Sequence, residues 1–239
     1  ALLATLDDQH ALVRREAVQG LESFERDAVL AALRARWQQE PAPDARGTVL
    51  RVLAKKKVDD LHALLEAALE VPSYRSKVAG TALELLAASE HPRKRELILL
   101  RTRRGTEAQL RSAAVKALAK LVKEDDGLRS ELRALISDET FFIRQSAVSS
   151  LGEVGVAEDI KLLESHLEQP SDKREAELAR ESIKKIRKRL EQDSPQAEDQ
   201  QAKALAQEAE DLEAKVKELR AKARRLRAEE AEDSDGDGE

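Results

Sequence analysis

Among its 239 residues the sequence has no cysteine, no methionine and only five aromatic rings: Phe24, Trp37, Tyr74, Phe141 and Phe142. Without a thiol there is no disulfide framework, no Cys-based zinc site and no thiol nucleophile, and cysteine usage says nothing of the redox compartment. So few rings disfavour an aromatic-rich β-sandwich or a base-stacking platform and leave aliphatic and Ala side chains to build the core. No apolar run approaches the roughly 18 residues of a membrane span, and the opening Ala1–Leu6 is cut off by Asp7 and Asp8 with no basic flank before it. The chain therefore reads as soluble; its address is not legible in the sequence, and the cytoplasm is favoured over other compartments. Methionine is missing at position 1 as well, so the chain is expected to be a fragment or a processed product.

What is present is charge. Lys and Arg number 42 against 47 Asp and Glu, for a net −5. Residues 192–239 hold 8 basic and 15 acidic side chains, leaving residues 1–191 slightly basic at +2. Two segments with different jobs are implied.

Residues 1–191 repeat themselves. Six stretches share one pattern: VRREAVQGL from Val13, ARGTVLRVL from Ala45, VAGTALELL from Val78, LRSAAVKAL from Leu110, IRQSAVSSL from Ile143 and LARESIKKI from Leu178. Each has an apolar residue, often an Arg next, a small or β-branched residue four on, and apolar residues five and eight on, which is the stripe of a helix packed closely on a neighbour. The starts are 32, 33, 32, 33 and 35 residues apart. Second helices are expected between them at Asp27–Trp37, Val58–Leu69, Arg93–Arg103, Leu128–Ile136 and Glu158–Leu167. All six prolines fall between these helical stretches. A helix pair this short cannot bury its own apolar face, so stacking must create the core.

The Asp-x5-Arg-x2-Ala-Val-x2-Leu pattern, at Asp8, Arg14, Ala17, Val18 and Leu21 and again at Asp138, Arg144, Ala147, Val148 and Leu151, resembles the inner helix of HEAT repeats. The short period is similar to that of the bacterial, phycobilisome-lyase-like variety. The resemblance implies an all-α fold, a right-handed α-solenoid of five to six HEAT-like helix pairs. It also implies that the Arg pairs with the preceding turn's Asp between adjacent repeats. The third repeat departs, with Ala79 in the Arg position, and the second has Val49 in the small position.

The expected domains are a solenoid over 1–191, a linker over 192–200, a coiled-coil helix over 201–228 and a disordered acidic terminus over 229–239. Leu205, Leu212, Leu219 and Leu226 are seven apart, with Ala202, Ala209, Val216 and Ala223 three before each, giving heptads with apolar a and d positions. A parallel homodimer would set Glu208 against Glu213, Lys215 against Arg220 and Lys222 against Arg227. Antiparallel pairing brings Glu208 towards Lys222 and Glu213 towards Arg220. It is therefore the favoured arrangement, either between chains through 202–226 or back onto the Glu175–Leu190 helix.

No catalytic constellation emerges, and no cofactor is expected in this chain. His10, His62, His91 and His166 are scattered, so the His-Glu-x-x-His zinc site is absent, as are a nucleophile elbow and a Gly-rich phosphate loop. Asp233-x-Asp235-x-Asp237-Gly238 shares the start of a calcium loop but lacks the later Gly and Glu positions and the flanking second helix, and reads as solvated tail. The basic clusters Lys55–Lys57, Arg93–Arg95, Arg101–Arg104 and Lys184–Arg189 would form a phosphate-tracking stripe if stacked. The stronger reading is dipole-complementing helix ends, which argues against nucleic acid. Trp37 continues the Val29 and Leu33 stripe and reads as core rather than as a partner's anchor. Tyr74 and the Phe141–Phe142 pair open repeated helices at their first turns, where one ring of a pair caps the core and the other meets solvent or a partner protein.

One region carries a narrower resemblance. Pro72-Ser73-Tyr74-x3-Val78-x3-Ala82-Leu83-x2-Leu86-Ala87, then Arg101-Thr102-Arg103-Arg104-Gly105, then Leu110-Arg111-x2-Ala114-Val115-x2-Leu118 resembles the C-terminal helical repeats of bacterial zinc metallopeptidases of the aminopeptidase N family. The resemblance implies a non-catalytic arch packed on a peptidase domain and walling its substrate chamber, with zinc held upstream of Ala1. A free-standing scaffold that binds a protein on a curved face is the other reading, which the heptad tail favours.

Overall fold

The computed structural model describes residues 2–168, 172–193, 212, 215–217 and 219. It divides into two units, Ala1–Ile186 and Arg187–Glu239. Among the described residues every regular element is helical. The first unit is an all-α solenoid. Its repeated helices are α2 (Ala11–Gly20), α4 (Pro43–Lys55), α6 (Lys77–Ala87), α8 (Ala108–Val122), α10 (Phe141–Val154) and α12 (Lys173–Gln192), the last running into the second unit. Between them lie α3 (Asp27–Gln39), α5 (Leu61–Leu69), α7 (Lys94–Thr102), α9 (Arg129–Ala134) and α11 (Ala157–Glu168), and a single turn, α1 (Leu2–Thr5), precedes them.

The repeated helices form one layer. Each of α2, α4, α6 and α8 lies against the next, up to α10, while α3, α5 and α7 form a second layer on α4, α6 and α8. The repeat register decides this. The apolar positions five residues into the first five patterns, Val18, Leu50, Leu83, Val115 and Val148, are fully buried, as are Leu53, Leu86, Leu118, Leu151 and Ile186 at the eighth of the last five, and Ile183 and Leu21 are nearly so. Ala82, Ala114 and Ala147 at the fourth are also fully buried, which lets neighbouring backbones approach. α10 and α12 approach closely at Gly152, where an added Cβ would stand 3.0 Å from the Ser182 Cα.

Turn chemistry sets the helix starts. Pro43 occupies the first turn of α4, where its missing N–H costs nothing. Glu107 caps α8, accepting from the Gln109 and Leu110 amides at 3.1 and 3.0 Å. Two expected second helices are trimmed. The chain turns at Lys57 (φ 50°), so α5 starts at Leu61, and the expected Leu128–Ile136 helix is a six-residue α9 between 3-10 turns at Asp126–Leu128 and Leu135–Ser137. Of the heptad segment only Leu212, Lys215, Val216, Lys217 and Leu219 are described; they are helical and exposed. The linker, the coiled-coil pairing and the acidic terminus otherwise lie outside the described residues.

Candidate interaction surface

The buried polar groups of the first unit form a ladder that joins repeat to repeat. Arg14 donates through Nη1 to the backbone carbonyls of Asp8 (2.8 Å) and Gln9 (3.1 Å) in its own turn. Its guanidinium also grips Glu40 of the next turn, through Nε to Oε2 at 2.8 Å and Nη2 to Oε1 at 2.6 Å. Arg144 repeats this, donating to the Asp138 and Glu139 carbonyls at 2.9 and 3.1 Å and to Glu175 of the next repeat at 2.9 Å. The acids serve their own turns as well. Asp8 accepts from the His10 amide (2.8 Å), Glu40 from Ala42 (3.0 Å) and Asp138 from Thr140 (2.9 Å).

The expected Asp-to-Arg pairing therefore needs correcting. Within Asp8–Arg14 and Asp138–Arg144 the guanidinium bonds to the Asp backbone carbonyl. The Asp138 carboxylate pairs with Arg111 of the preceding repeat, at 3.0 and 2.5 Å. Glu40 and Asp138 each cap their own turn and receive the Arg of the preceding repeat, whose long stem spans to them and whose fork matches a carboxylate. Burial alone would raise the pKa of Glu40 and Asp138, but the Arg hydrogen bonds, the amide bonds and the cationic charge outweigh it and hold both below the ordinary carboxylate range.

The ladder has a gap that the register explains. The turn position six before the Arg position, which holds Ala79 in the third repeat, is Asp8, Glu40, Ser73, Gly105 and Asp138 in repeats one to five. By this register Ser73 takes the place of the acid that would answer Arg46. The Arg46 Nε is buried without a hydrogen bond, and its guanidinium lies over the Trp37 ring, 4.7 Å from the centroid. In the third repeat both halves are missing together, Ala79 in the Arg position and Gly105 in that of the next turn's acid. Glu40 is readable by its spacing alone; Glu175 is not, because the last interval is longer.

Trp37 is core, 3% exposed, and offers nothing to a partner. Tyr74 is exposed, with the Arg75 guanidinium 5.2 Å from its ring centroid. Of the Phe pair it is Phe142 that faces solvent, whereas Phe141 is half-buried and packs edge-on against Phe142 with the Arg144 guanidinium also over its ring. Arg75 and Ser76, which carry no signal in the sequence pattern, both adopt left-handed backbone at φ 54° and 51°. Such conformations cost non-glycine residues on the order of 1–3 kcal/mol each. They are held by the Ser76 hydroxyl on Glu107 (2.8 Å) and the Val78 amide on Ser73 Oγ (3.1 Å). Arg75 thereby rims an open recess of about 330 Å³ over α8, with Lys116 and Phe142 among its walls.

Elsewhere several side chains of the basic clusters are paired with acids. Lys55 pairs with Glu22, Lys94 with Glu124, Arg95 with Asp125 and Arg101 with Glu70. Lys56 turns inward to the Glu22 and Phe24 carbonyls. His91 is buried 4.6 Å from the His62 ring; its Nδ1 accepts from the Arg93 amide, and burial, reinforced by His62, holds its pKa below the ordinary value. No group of His, Asp and Glu among the described residues is arranged to hold a metal ion, and no described helix is long and apolar enough to cross a membrane.

A layer of short helices at a regular period, with buried Arg–acid pairs at three of its joints, defines a helical-repeat protein. Residues 95–184 match the family described as HEAT repeats. That segment runs from α7 into α12 and contains the rungs Arg111–Asp138 and Arg144–Glu175. No curated protein matches the sequence.

Proposed function

We propose that the chain is a HEAT-repeat scaffold whose layer of repeated helices binds a partner protein. One observation carries this reading. Its buried polar pairs, Arg14–Glu40, Arg111–Asp138 and Arg144–Glu175, are spent on locking repeat to repeat, while Tyr74 and Phe142 stand exposed. Such a surface offers contact area and anchoring rings rather than reacting groups. The test places a photo-crosslinking amino acid at Phe142 and, as a control, at Lys161 on α11, in cells that make the protein. A discrete crosslinked partner at position 142 and none at 161 is expected. No partner at 142, or equal crosslinking at both, rejects the reading.

A narrower reading makes this scaffold the arch beside a zinc aminopeptidase domain. Its support is the sequence resemblance of Pro72–Leu121, in which Ser73 caps the turn before Val78 and Gly105 (φ 91°) forms the left-handed turn before α8. It requires zinc-dependent aminopeptidase activity in the native full-length protein. Full-length protein with a normal zinc content and no such activity ends it.

A further inference from the structure

The recess beside Arg75 lies wholly within the first unit and is lined by two cations and no acid. That imbalance is unusual for this layer. Lys77 reaches Asp44 at 2.7 Å, Arg51 reaches Glu84 at 3.1 Å and Lys55 reaches Glu22 at 2.6 Å, each across one repeat. Arg75 and Lys116 have no acidic partner among the described residues. Glu107, next in the chain to Ala108 of the recess wall, is engaged by the Gln109 and Leu110 amides and the Ser76 hydroxyl.

Backbone strain points to the same place. Arg75 and Ser76 hold left-handed conformations although the chain uses glycine for that purpose at Gly105. Glycine at position 75 would relieve the strain and remove the guanidinium. The walls include small side chains, Ser112 and Ala113, together with the exposed ring of Phe142. An open recess with two cations over a mostly apolar floor suits a peptide in extended conformation better than a duplex, which would need many more unpaired cations.

We propose that this recess docks an acidic, extended peptide segment of a partner protein, a carboxylate of which sits between Arg75 and Lys116 while an apolar side chain covers Phe142. The inference rests on the scaffold reading and names the partner's chemistry at one site of it.

The test is fluorescence anisotropy of the full chain with a fluorescein-labelled peptide, Gly-Ser-Asp-Glu-Leu-Asp-Glu-Phe-Asp-Gly. Its amide counterpart, with Asn and Gln for Asp and Glu, and a labelled single-stranded oligouridine serve as further probes. Micromolar binding of the acidic peptide is expected, weakened at least tenfold by Lys116→Glu, by Phe142→Ser and in the amide peptide. Arg75→Gly should weaken binding while raising the melting temperature, which separates loss of the site from loss of the fold. Lys161→Glu should change nothing. Equal binding by wild type, Lys116→Glu and Arg75→Gly overturns the proposal, as does no binding at low salt. Tighter binding of oligouridine through the same residues also overturns it and makes the recess a nucleic-acid site. If the peptide fails while crosslinking at position 142 still finds a partner, the scaffold reading stands and only the acidic-peptide site falls.

Discussion

Arg111 and Asp138 face each other across two successive repeats with two guanidinium nitrogens on both carboxylate oxygens, at 3.0 and 2.5 Å, and with side chains only 7% and 5% exposed. Each also satisfies a backbone group, Arg111 the Thr102 carbonyl at 2.6 Å and Asp138 the Thr140 amide at 2.9 Å. The pair is thus a joint between repeats as much as an ion pair.

Breaking that joint from one side strands a buried charge. Arg111→Ala and Asp138→Ala are each expected to cost about 3–5 kcal/mol, whereas the double variant should cost less than the sum of the two by more than about 1 kcal/mol. Urea unfolding followed by circular dichroism measures this. Additive costs would mean that the two side chains act independently.

The gap at the second repeat is repairable. Ser73→Asp would set a carboxylate opposite Arg46, and should raise stability by roughly 0.5–1 kcal/mol, an effect abolished in an Arg46→Ala background. Asp retains an oxygen to accept from the Val78 amide, as the Ser73 hydroxyl does at 3.1 Å. A gain that survives Arg46→Ala would place its cause in the turn rather than in the ladder.

Acid should unfold the first unit in two steps. His91 is held neutral by burial and by the neighbouring His62 and Arg93, with Glu66 opposing them. Its folded pKa lies below its unfolded one, so its contribution is full above about pH 6.5 and is lost as pH falls beneath that. Glu40 and Asp138 also have lowered folded values. Their contribution is present above the ordinary carboxylate range and is lost at lower pH, as pH falls through their folded pKa. His91→Asn, which keeps an acceptor for the Arg93 amide, should remove the upper step and leave the lower one. Melting temperature against pH reads both.

Gly152 and Gly47 should respond differently to alanine. At Gly152 the new methyl would stand 2.8–3.0 Å from Ser182 side-chain and backbone atoms, so Gly152→Ala should cost about 1–3 kcal/mol. Ser182→Gly should not rescue it, because the Cα itself is in the way. At Gly47 the close neighbour is the Thr81 hydroxyl at 3.0 Å, with no backbone atom among the nearest, so a shift of a few tenths of an ångström in one side chain makes room. There the higher helix propensity of Ala, about 1 kcal/mol, offsets the crowding. Thermal melts of the two variants separate these outcomes, and an equal loss at both positions would contradict them.

Periodicity makes most of the fold legible. The apolar positions five and eight into each pattern point the same way in every repeat, and stacking buries them whatever the turns contain, as Val115 and Leu118 show. The turns are less legible. Lys57 and the 3-10 turns around α9 reflect local hydrogen bonding that carries no apolar period. Trp37 is readable as core from the Val29 and Leu33 stripe. The choice between Phe141 and Phe142 is not, since both open the same turn, and only the packing of α10 decides which ring turns in.

The sequence by itself determined that the chain stacks short helices at a regular period and where each buries its stripe, because those properties depend only on residue type and spacing. Tertiary structure decided which acid answers which Arg. Asp8 and Asp138 are near Arg14 and Arg144 in sequence, yet Arg14 pairs with Glu40 and Asp138 with Arg111, because stacking brings each guanidinium within reach of the next turn. It also decided that Arg75 and Lys116, far apart in sequence and ordinary in type, share one unneutralised recess. Charge neutralisation is a property of neighbours in space, and a solenoid assigns those neighbours only once it is stacked.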